Sequence, residues 1–208
     1  MDAGLLPVKR LHDAKQRLAD VLGDEGRLAL SRALFADALD RCEATTFLRW
    51  SVITDDPEVR AAARDRGLHV VDDPGAGLNQ ALARGIASAL RAGAESVTIL
   101  PVDVPLATAE DVRDLVDTGA TSDVVLATAR SGGGTNALYL SPPDALEPRF
   151  GEGSLRAHAA DAEAAKLRCS ILNLPRLALD IDTMEDVEAL LAEDSASGAT
   201  TRVLRDLL

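Results

Sequence analysis

Short apolar segments alternate with longer amphipathic ones along most of this 208-residue chain, and this alternation limits its folding more than any other feature. The short segments are rich in Val, Ile and Leu, as β-strands are, while the longer ones repeat apolar residues at helical spacing. Strands that alternate with helices build βαβ units, in which helices cover both faces of a parallel sheet. The sequence therefore predicts a single-domain α/β fold with a mostly parallel sheet.

The pattern also gives approximate positions for the elements. Strands are predicted at residues 4–8, 50–54, 69–71, 96–101, 124–128, 137–140 and 168–174. Helices are predicted at residues 24–43, 57–66, 78–92, 109–117, 154–165 and 184–192. The interval between the strands at 124–128 and 137–140 has no room for a helix, which indicates an antiparallel pair in a mixed sheet. We assign residues 1–193 to one domain and residues 194–208 to a C-terminal tail that includes a short helix.

Charge and composition exclude several classes of protein. The chain has 22 basic and 34 acidic residues and a formal net charge of −12, so it lacks the surplus of bases that a nucleic-acid surface needs. Its two cysteines, Cys42 and Cys169, cannot build a disulfide framework or a four-cysteine zinc site. No secretory signal and no apolar run of about 20 residues is visible, so we expect a cytoplasmic protein without a membrane partner. The oligomeric state is open, with a homodimer as one alternative.

Positive charge is concentrated directly after the first predicted strand. Residues 7–17 contain four bases, among them Lys9, Lys15 and Arg17, against the single acid Asp13. Loops at this place in α/β proteins commonly bind phosphates. The segment is not a Walker sequence, because no glycine-rich loop ends in Gly-Lys-Ser or Gly-Lys-Thr. We predict an anion site here; a solvated surface loop is the alternative interpretation.

Two acidic segments indicate a complementary metal site. Asp103 follows the strand predicted at 96–101, and the prolines on both sides of it stiffen its loop. Asp180 and Asp182 alternate in an extended segment, so both point to one face. Helix capping accounts for Asp182 but not for Asp180. Three carboxylates from two strand ends form an oxygen site that suits Mg²⁺, and we predict Asp103, Asp180 and Asp182 as its ligands.

Three further loops contain residues with two interpretations each. The glycine run before Thr135 is either a connector or a place where the backbone approaches a ligand. Ser154 is a candidate helix cap, and the same helix N-terminus can bind an anion. His158 lies one turn later on the same face, where a lone histidine is usually structural. Asn79 either caps a helix or contacts a base edge through its amide.

Six short motifs occur in one order along the chain. They are VKRLHDAKQRL at 8–18, GLNQAL at 77–82, PVDVP at 101–105, GGTNAL at 133–138, FGEGS at 150–154 and DIDT at 180–183. Together they resemble the 2-phospho-L-lactate / phosphoenolpyruvate guanylyltransferases of coenzyme F-420 biosynthesis, the CofC/FbiD family. The resemblance covers nearly the whole chain to about residue 191. It implies a nucleotidyltransferase fold of the glycosyltransferase-A type for residues 1–193.

The resemblance also implies a reaction and a set of roles. GMP would pass from GTP to a phosphorylated three-carbon acid, phosphoenolpyruvate or 2-phospho-L-lactate, with release of diphosphate. The family pattern gives the phospho-acid to Thr135, Gly151 and Ser154, and Mg²⁺ to Asp103, Asp180 and Asp182. We expect Lys15, Arg17 and Asp103 to be catalytic, and Lys9, Lys15, Arg17 and Asn79 to bind the nucleotide.

The choice of acceptor depends on weaker signals. The Ala- and Arg-rich composition and bacterial character of the chain favour phosphoenolpyruvate over 2-phospho-L-lactate. One alternative is a related nucleotidyltransferase with another acceptor, such as 3-phosphoglycerate or a molybdopterin-type compound. Another is a nucleotide-binding protein without catalytic activity, although the intact set of acidic residues argues against it.

Overall fold

The computed structural model describes residues 1–130 and 132–208, and in these ranges seven strands form one sheet. The strands are β1 (Asp2–Pro7), β2 (Arg49–Thr54), β3 (His69–Asp72), β4 (Ser96–Ile99), β5 (Val124–Thr128), β6 (Thr135–Leu140) and β7 (Cys169–Leu172). The helices are α1 (Ala19–Ala44), α2 (Pro57–Asp65), α3 (Leu78–Arg91), α4 (Ala109–Gly119), α5 (Ser154–Ala164), α6 (Pro175–Ala178), α7 (Met184–Ala192) and α8 (Ala199–Leu207). Two 3-10 turns, Leu11–Asp13 and Gln16–Leu18, connect β1 to α1.

The sheet is mixed, with the strand order β3-β2-β1-β4-β6-β5-β7. β6 is antiparallel to both of its neighbours, β4 and β5, while the other neighbouring strands are parallel. The prediction of a mostly parallel mixed sheet is therefore confirmed. Because β6 runs in the opposite direction, its first residues lie at the same edge as the carboxyl ends of β1 and β4. Ligands of open α/β sheets bind at this edge.

Helices cover both faces of the sheet, as the alternating pattern predicts. Leu5 and Leu6 of β1 are fully buried and point to opposite faces, because side chains alternate along a strand. On the Leu6 face, α1, α2 and α4 contribute apolar residues to the core. On the Leu5 face, α3 and α5 do the same. Burial of each such leucine contributes about 1.5–3 kcal/mol, so two apolar layers hold one domain together.

The C-terminal residues form a helix that packs against α1. Leu204 of α8 is fully buried in a third apolar cluster with Leu30 and Leu34. The carboxylate of Asp37 accepts hydrogen bonds from the first amides of α8, at 2.6 Å from Ala199 N and 2.9 Å from Thr200 N. The short helix expected in the tail is therefore present, and it is attached to the main core.

Several element boundaries differ from the sequence-based expectation for local reasons. α1 contains a break at Gly23, whose φ of 63° lies outside the helical region, so the regular helix starts near the expected residue 24. The seventh strand ends at Leu172 rather than 174. Pro175 then begins the short helix α6, because proline is favoured at the first position of a helix. This helix was not among those predicted from the sequence.

Across 1–130 and 132–208, no helix is both long and apolar enough to cross a membrane. The cytoplasmic location stays a prediction.

Candidate active site

A cleft of about 690 Å³ opens at the carboxyl edge of the parallel strands. Its walls come from the loop after β1, the loop after β4 and the first turn of α3. Lys9, Lys15, Arg17, Asp103 and Asp182 all line it. The structure therefore brings the predicted basic cluster and two of the three predicted acids into one cleft.

Lys15 is the charged centre of this cleft. Its Nζ lies 2.6 Å from Oδ2 of Asp103 and 2.9 Å from Oδ1 of Asp182, and its side chain is only 6% exposed. Burial by itself lowers the pKa of Lys15, but the two carboxylates outweigh it and raise the pKa above its ordinary value. Lys15 also has a left-handed backbone, with a φ of 54° and a ψ of 39°, which is costly for a residue other than glycine. The fold therefore holds a strained residue so that its ammonium reaches both acids.

A buried arginine shapes the loop that leads to Lys15. Arg27 of α1 donates to the carbonyl of Ala14 at 2.7 Å and to that of His12 at 3.3 Å. Its guanidinium also pairs with Asp24 at 2.5 Å. Sequence reasoning missed Arg27. Lys9 and Arg17, by contrast, have exposed side chains and line the same cleft.

A second buried arginine supports the Asp103 loop. Arg41 of α1 donates to the carbonyls of Val104 at 3.0 Å and Pro101 at 3.3 Å, on either side of Asp103. Burial lowers the pKa of Arg41. The backbone N–H of Ile181 donates to the carbonyl of Asp103 at 3.0 Å. This bond joins the two acidic segments, so Asp103 and Asp182 approach the same ammonium.

Asp180 is oriented by the residue that follows Thr135 in the sequence. Nδ2 of Asn136 donates to Oδ1 of Asp180 at 3.0 Å, and it also contacts two carbonyls of α6. Burial raises the pKa of Asp180; the Asn136 hydrogen bond opposes this shift, and the charges of Asp103 and Asp182 add to it. Because carboxylates repel one another, the acids here favour any additional positive charge.

The donor chemistry of the acids fits a divalent cation, but their arrangement is that of a site holding an ammonium. Oxygen-only donors suit Mg²⁺. In the part of the chain that the structure describes, no group of three acidic, histidine or cysteine side chains is placed to hold a metal ion. Asp103 and Asp182 converge on Lys15 instead. A magnesium ion would therefore compete with this ammonium for the same two carboxylates, and the three-aspartate ligand set stays a prediction.

The residues predicted to hold the phospho-acid form a second cluster at the same edge. The backbone N–H of Thr135 donates to Oγ of Ser154 at 2.9 Å, and the N–H of Ser154 donates to the carbonyl of Gly151 at 3.2 Å. Gly151 has a φ of 135°, a conformation that favours glycine. Oγ1 of Thr135 lies 3.1 Å from Nδ1 of the fully buried His158. The structure therefore brings Thr135, Gly151 and Ser154 together, with His158 behind them.

Asn79 has a different position from the one expected. Its Oδ1 accepts from the N–H of Phe150 at 2.8 Å, and its Nδ2 donates to the carbonyl of the same residue at 3.2 Å. The cap residue of α3 is Gly77, so the helix-cap interpretation of Asn79 is wrong. Its amide clamps the loop before α5, and Phe150 of that loop lines the cleft. Contact of Asn79 with a nucleotide stays a prediction.

Comparison with known proteins agrees with this geometry. The chain is 39% identical over 212 residues to the phosphoenolpyruvate guanylyltransferase of Conexibacter woesei, covering 98% of this chain and 95% of that protein. It is 34% identical over 212 residues to the 3-phospho-D-glycerate guanylyltransferase of Phenylobacterium zucineum, covering 100% of this chain and 97% of that protein.

A crystal structure from Desulfovibrio desulfuricans G20, described as a nucleotide-diphospho-sugar transferase, shares the fold. Its TM-score is 0.82 at 20% identity, with 99% of this chain and 94% of that chain covered. The sequence model of the family described as "Guanylyl transferase CofC like" matches residues 3–207. The resemblance inferred from the motifs is confirmed, and the chain belongs to the CofC-like guanylyl transferase family.

Proposed function

We propose that this protein transfers GMP from GTP to phosphoenolpyruvate and releases diphosphate. The observation that carries the proposal is the placement of Lys15 between Asp103 and Asp182, in a cleft that exposed bases also line. Bases for a polyphosphate and carboxylates for a metal ion are the two halves of a nucleotidyl-transfer site. As the family resemblance implies, the reaction belongs to the biosynthesis of coenzyme F-420.

The proposed reaction needs alignment more than proton transfer. An oxygen of the acceptor's phosphate attacks the α-phosphorus of GTP, and the bond from that phosphorus to the oxygen shared with the β-phosphate breaks. The acceptor phosphate is already anionic near neutral pH, so no general base is needed. Positioning of the two anions and neutralisation of their charge therefore supply the catalysis.

The cleft residues would divide this work by position. Lys15 can bind phosphate oxygens of GTP when its ammonium leaves the aspartates, while the exposed Lys9 and Arg17 bind the outer phosphates. Asp103 and Asp182, with Asp180, would hold Mg²⁺, which supplies positive charge to the phosphates when bound. Thr135 and Ser154 would contact the phospho-acid, with their hydroxyl groups at the same edge of the sheet.

The test is diphosphate release from each of the four common nucleoside triphosphates, with phosphoenolpyruvate, 2-phospho-L-lactate or 3-phosphoglycerate as acceptor. We expect the highest kcat/KM for GTP with phosphoenolpyruvate, and loss of the activity when Mg²⁺ is chelated. 3-Phosphoglycerate is the second candidate acceptor, because the Phenylobacterium relative bears its name. Phosphoenolpyruvate and 2-phospho-L-lactate differ at one methyl-sized group, which is worth about 1–3 kcal/mol, so the preference between these two acceptors is measurable. No diphosphate release with any pair would contradict the proposal and favour a nucleotide-binding protein without catalytic activity.

A further inference from the structure

His158 is a buried histidine whose two ring nitrogens both have partners. Its exposure is 0%, and the ring of Phe150 packs against it edge-on, with 5.4 Å between ring centroids. Nε2 lies 2.9 Å from the backbone nitrogen of Arg149, and Nδ1 lies 3.1 Å from Oγ1 of Thr135. The surroundings therefore fix both the position and the orientation of the ring.

These partners determine which nitrogen carries the proton. A backbone N–H can only donate, so Nε2 must accept the hydrogen bond from Arg149. Burial lowers the pKa of His158; the charge of Asp161 opposes this shift, and that of Arg149 adds to it. The ring is therefore neutral, and its one hydrogen lies on Nδ1. It follows that Nδ1 donates to the Thr135 hydroxyl.

As a result, the hydroxyl groups of Thr135 and Ser154 both act as acceptors within the protein, and both keep their hydrogen for donation. Oγ1 of Thr135 accepts from His158, and Oγ of Ser154 accepts from the N–H of Thr135. Among the hydrogen bonds of the described residues, neither hydroxyl donates to a protein acceptor. Each keeps its own hydrogen, and each is almost fully buried. Two adjacent hydroxyl donors without acceptors form a site suited to an anion.

We propose that His158 is a positioning residue for the acceptor: through its Nδ1–H it keeps the Thr135 hydroxyl as a donor towards the anionic groups of the phospho-acid. This inference rests on the proposed function, because it requires the phospho-acid to bind at Thr135 and Ser154. His158 itself does not touch the substrate. Its effect reaches the acceptor through Thr135, and GTP binding at the basic loop does not depend on it.

Two substitutions separate positioning from structural support. In His158→Asn the amide nitrogen replaces Nδ1 as donor to Thr135, but the acceptor for Arg149 is lost. In His158→Gln the amide oxygen replaces Nε2 as acceptor for Arg149, but the donor to Thr135 is lost. The asparagine variant therefore keeps the bond that positioning needs, and the glutamine variant keeps the bond that holds the loop.

If His158 acts by positioning Thr135, the two variants should rank in opposite order for the affinity for phosphoenolpyruvate and for thermal stability. We expect the KM for phosphoenolpyruvate to rise about 3- to 10-fold in His158→Gln and to change by less than about 2-fold in His158→Asn. The KM for GTP should change little in either variant. Thermal stability should fall more in the asparagine variant. If the KM for phosphoenolpyruvate instead follows the loss of stability, or rises together with the KM for GTP, His158 is only structural and the inference is wrong.

A double-mutant cycle with Thr135→Val checks that the effect passes through Thr135. His158→Gln should add little to the KM of the Thr135→Val variant, because the hydroxyl that His158 orients is already gone. A full additional increase would contradict the inference.

Nitrogen-15 NMR of the histidine rings makes the test independent of turnover. The His158 ring should show a proton on Nδ1 and none on Nε2, and a proton on Nε2 would overturn the inference. If the wild-type protein releases no diphosphate with any acceptor, the proposed function fails. Calorimetric binding of phosphoenolpyruvate to the wild type and the two His158 variants then replaces KM. The same order of affinities would support the inference, and equal affinities or no binding would contradict it.

Discussion

Lys15 shows how a single residue defines the chemistry of the cleft. A buried ammonium is costly unless it is paired, and here two carboxylates pair with it, one from the loop after β4 and one from the segment between α6 and α7. Its left-handed backbone adds strain, although the exposed Lys166 shares this conformation, so the pairing is the more specific observation. Such strain persists when the surroundings hold it, and it is common at functional sites. The geometry therefore favours the anion-site interpretation of the basic segment over the solvated-loop alternative.

Substitution of Lys15 tests the anion-site interpretation. We expect Lys15→Ala to lower kcat/KM for GTP by a factor that corresponds to about 2–4 kcal/mol of transition-state stabilisation, because a charge contact that strengthens in the transition state is lost. Lys166 offers a matched control, since it is the other lysine with a left-handed backbone and it is exposed outside the cleft. Lys166→Ala should retain wild-type kinetics. Equal activity of both variants would return residues 7–17 to the solvated-loop interpretation.

Single residues could be predicted from the sequence where charge or spacing was unusual. The sequence predicts the bases at 9, 15 and 17 together with the acids at 103, 180 and 182, and all of these except Asp180 line the cleft. Partners of these residues were harder to find. Asn136 was seen only as part of a motif, because an amide gives no sign of which carboxylate it will contact. The tautomer of His158 could not be predicted from the sequence, because it depends on hydrogen-bond partners in other elements.

At the scale of elements, strand ends and helix starts place the functional groups. The loop after β1, the loop after β4 and the start of β6 meet at one edge, because β6 is antiparallel to the strands beside it. α1 supports two of these loops through Arg27 and Arg41, both on its buried face. A charged residue inside an apolar helical stripe is visible in the sequence. Its partners are backbone carbonyls, however, which no sequence pattern identifies.

The junction of β5 and β7 should show a specific dependence on pH. Asp123 accepts three hydrogen bonds from Arg168, two from its guanidinium and one from its backbone, which lowers the pKa of Asp123 to about 2. An aspartate in the unfolded chain has a pKa of about 3.9. The carboxylate therefore stabilises the fold above about pH 4, and this contribution disappears as the pH falls through about 2.

Thermal unfolding of Asp123→Asn measures that contribution. At neutral pH its Tm should lie below that of the wild type, and the gap should narrow as the pH falls from about 4 to about 2. Asp117→Asn, at an exposed position of α4, is the control and should follow the wild type throughout. A gap that stays constant over this pH range would show that the charge of Asp123 is not the cause.

The cap of α8 can be tested in the same way. Asp37→Ala removes the acceptor for the first amides of α8 and should lower the free energy of unfolding by about 0.5–2 kcal/mol, with unchanged catalysis. Asp40→Ala, on the exposed face of α1, the helix that also contains Asp37, removes only a surface ion pair with Arg66 and should lower the stability less. A larger loss in the Asp40 variant would contradict the capping role of Asp37.

At the scale of the whole molecule, one mixed sheet brings distant segments into a single site. Residues near 15, 103, 135, 154 and 182 lie far apart in the chain and meet at the carboxyl edge. The fold class could be predicted from the alternation of strands and helices alone, and so could the place of the site at the carboxyl edge of the sheet. Position of the acceptor cluster relative to the cleft did not follow, because it depends on how β6 reverses and how α5 packs against the sheet. The homodimer stays a prediction.

The most direct test of the account is the rate of diphosphate release from GTP and phosphoenolpyruvate by Asp103→Asn at saturating Mg²⁺. The substitution removes one charge without changing shape, and the fold should remain intact by circular dichroism. Asp114→Asn, an exposed aspartate of α4, is the matched control. We predict that kcat/KM of the Asp103 variant falls by a factor that corresponds to a loss of at least about 3 kcal/mol of transition-state stabilisation, while the control keeps the wild-type value. A wild-type rate in Asp103→Asn would contradict the account, because transfer at this cleft requires that carboxylate.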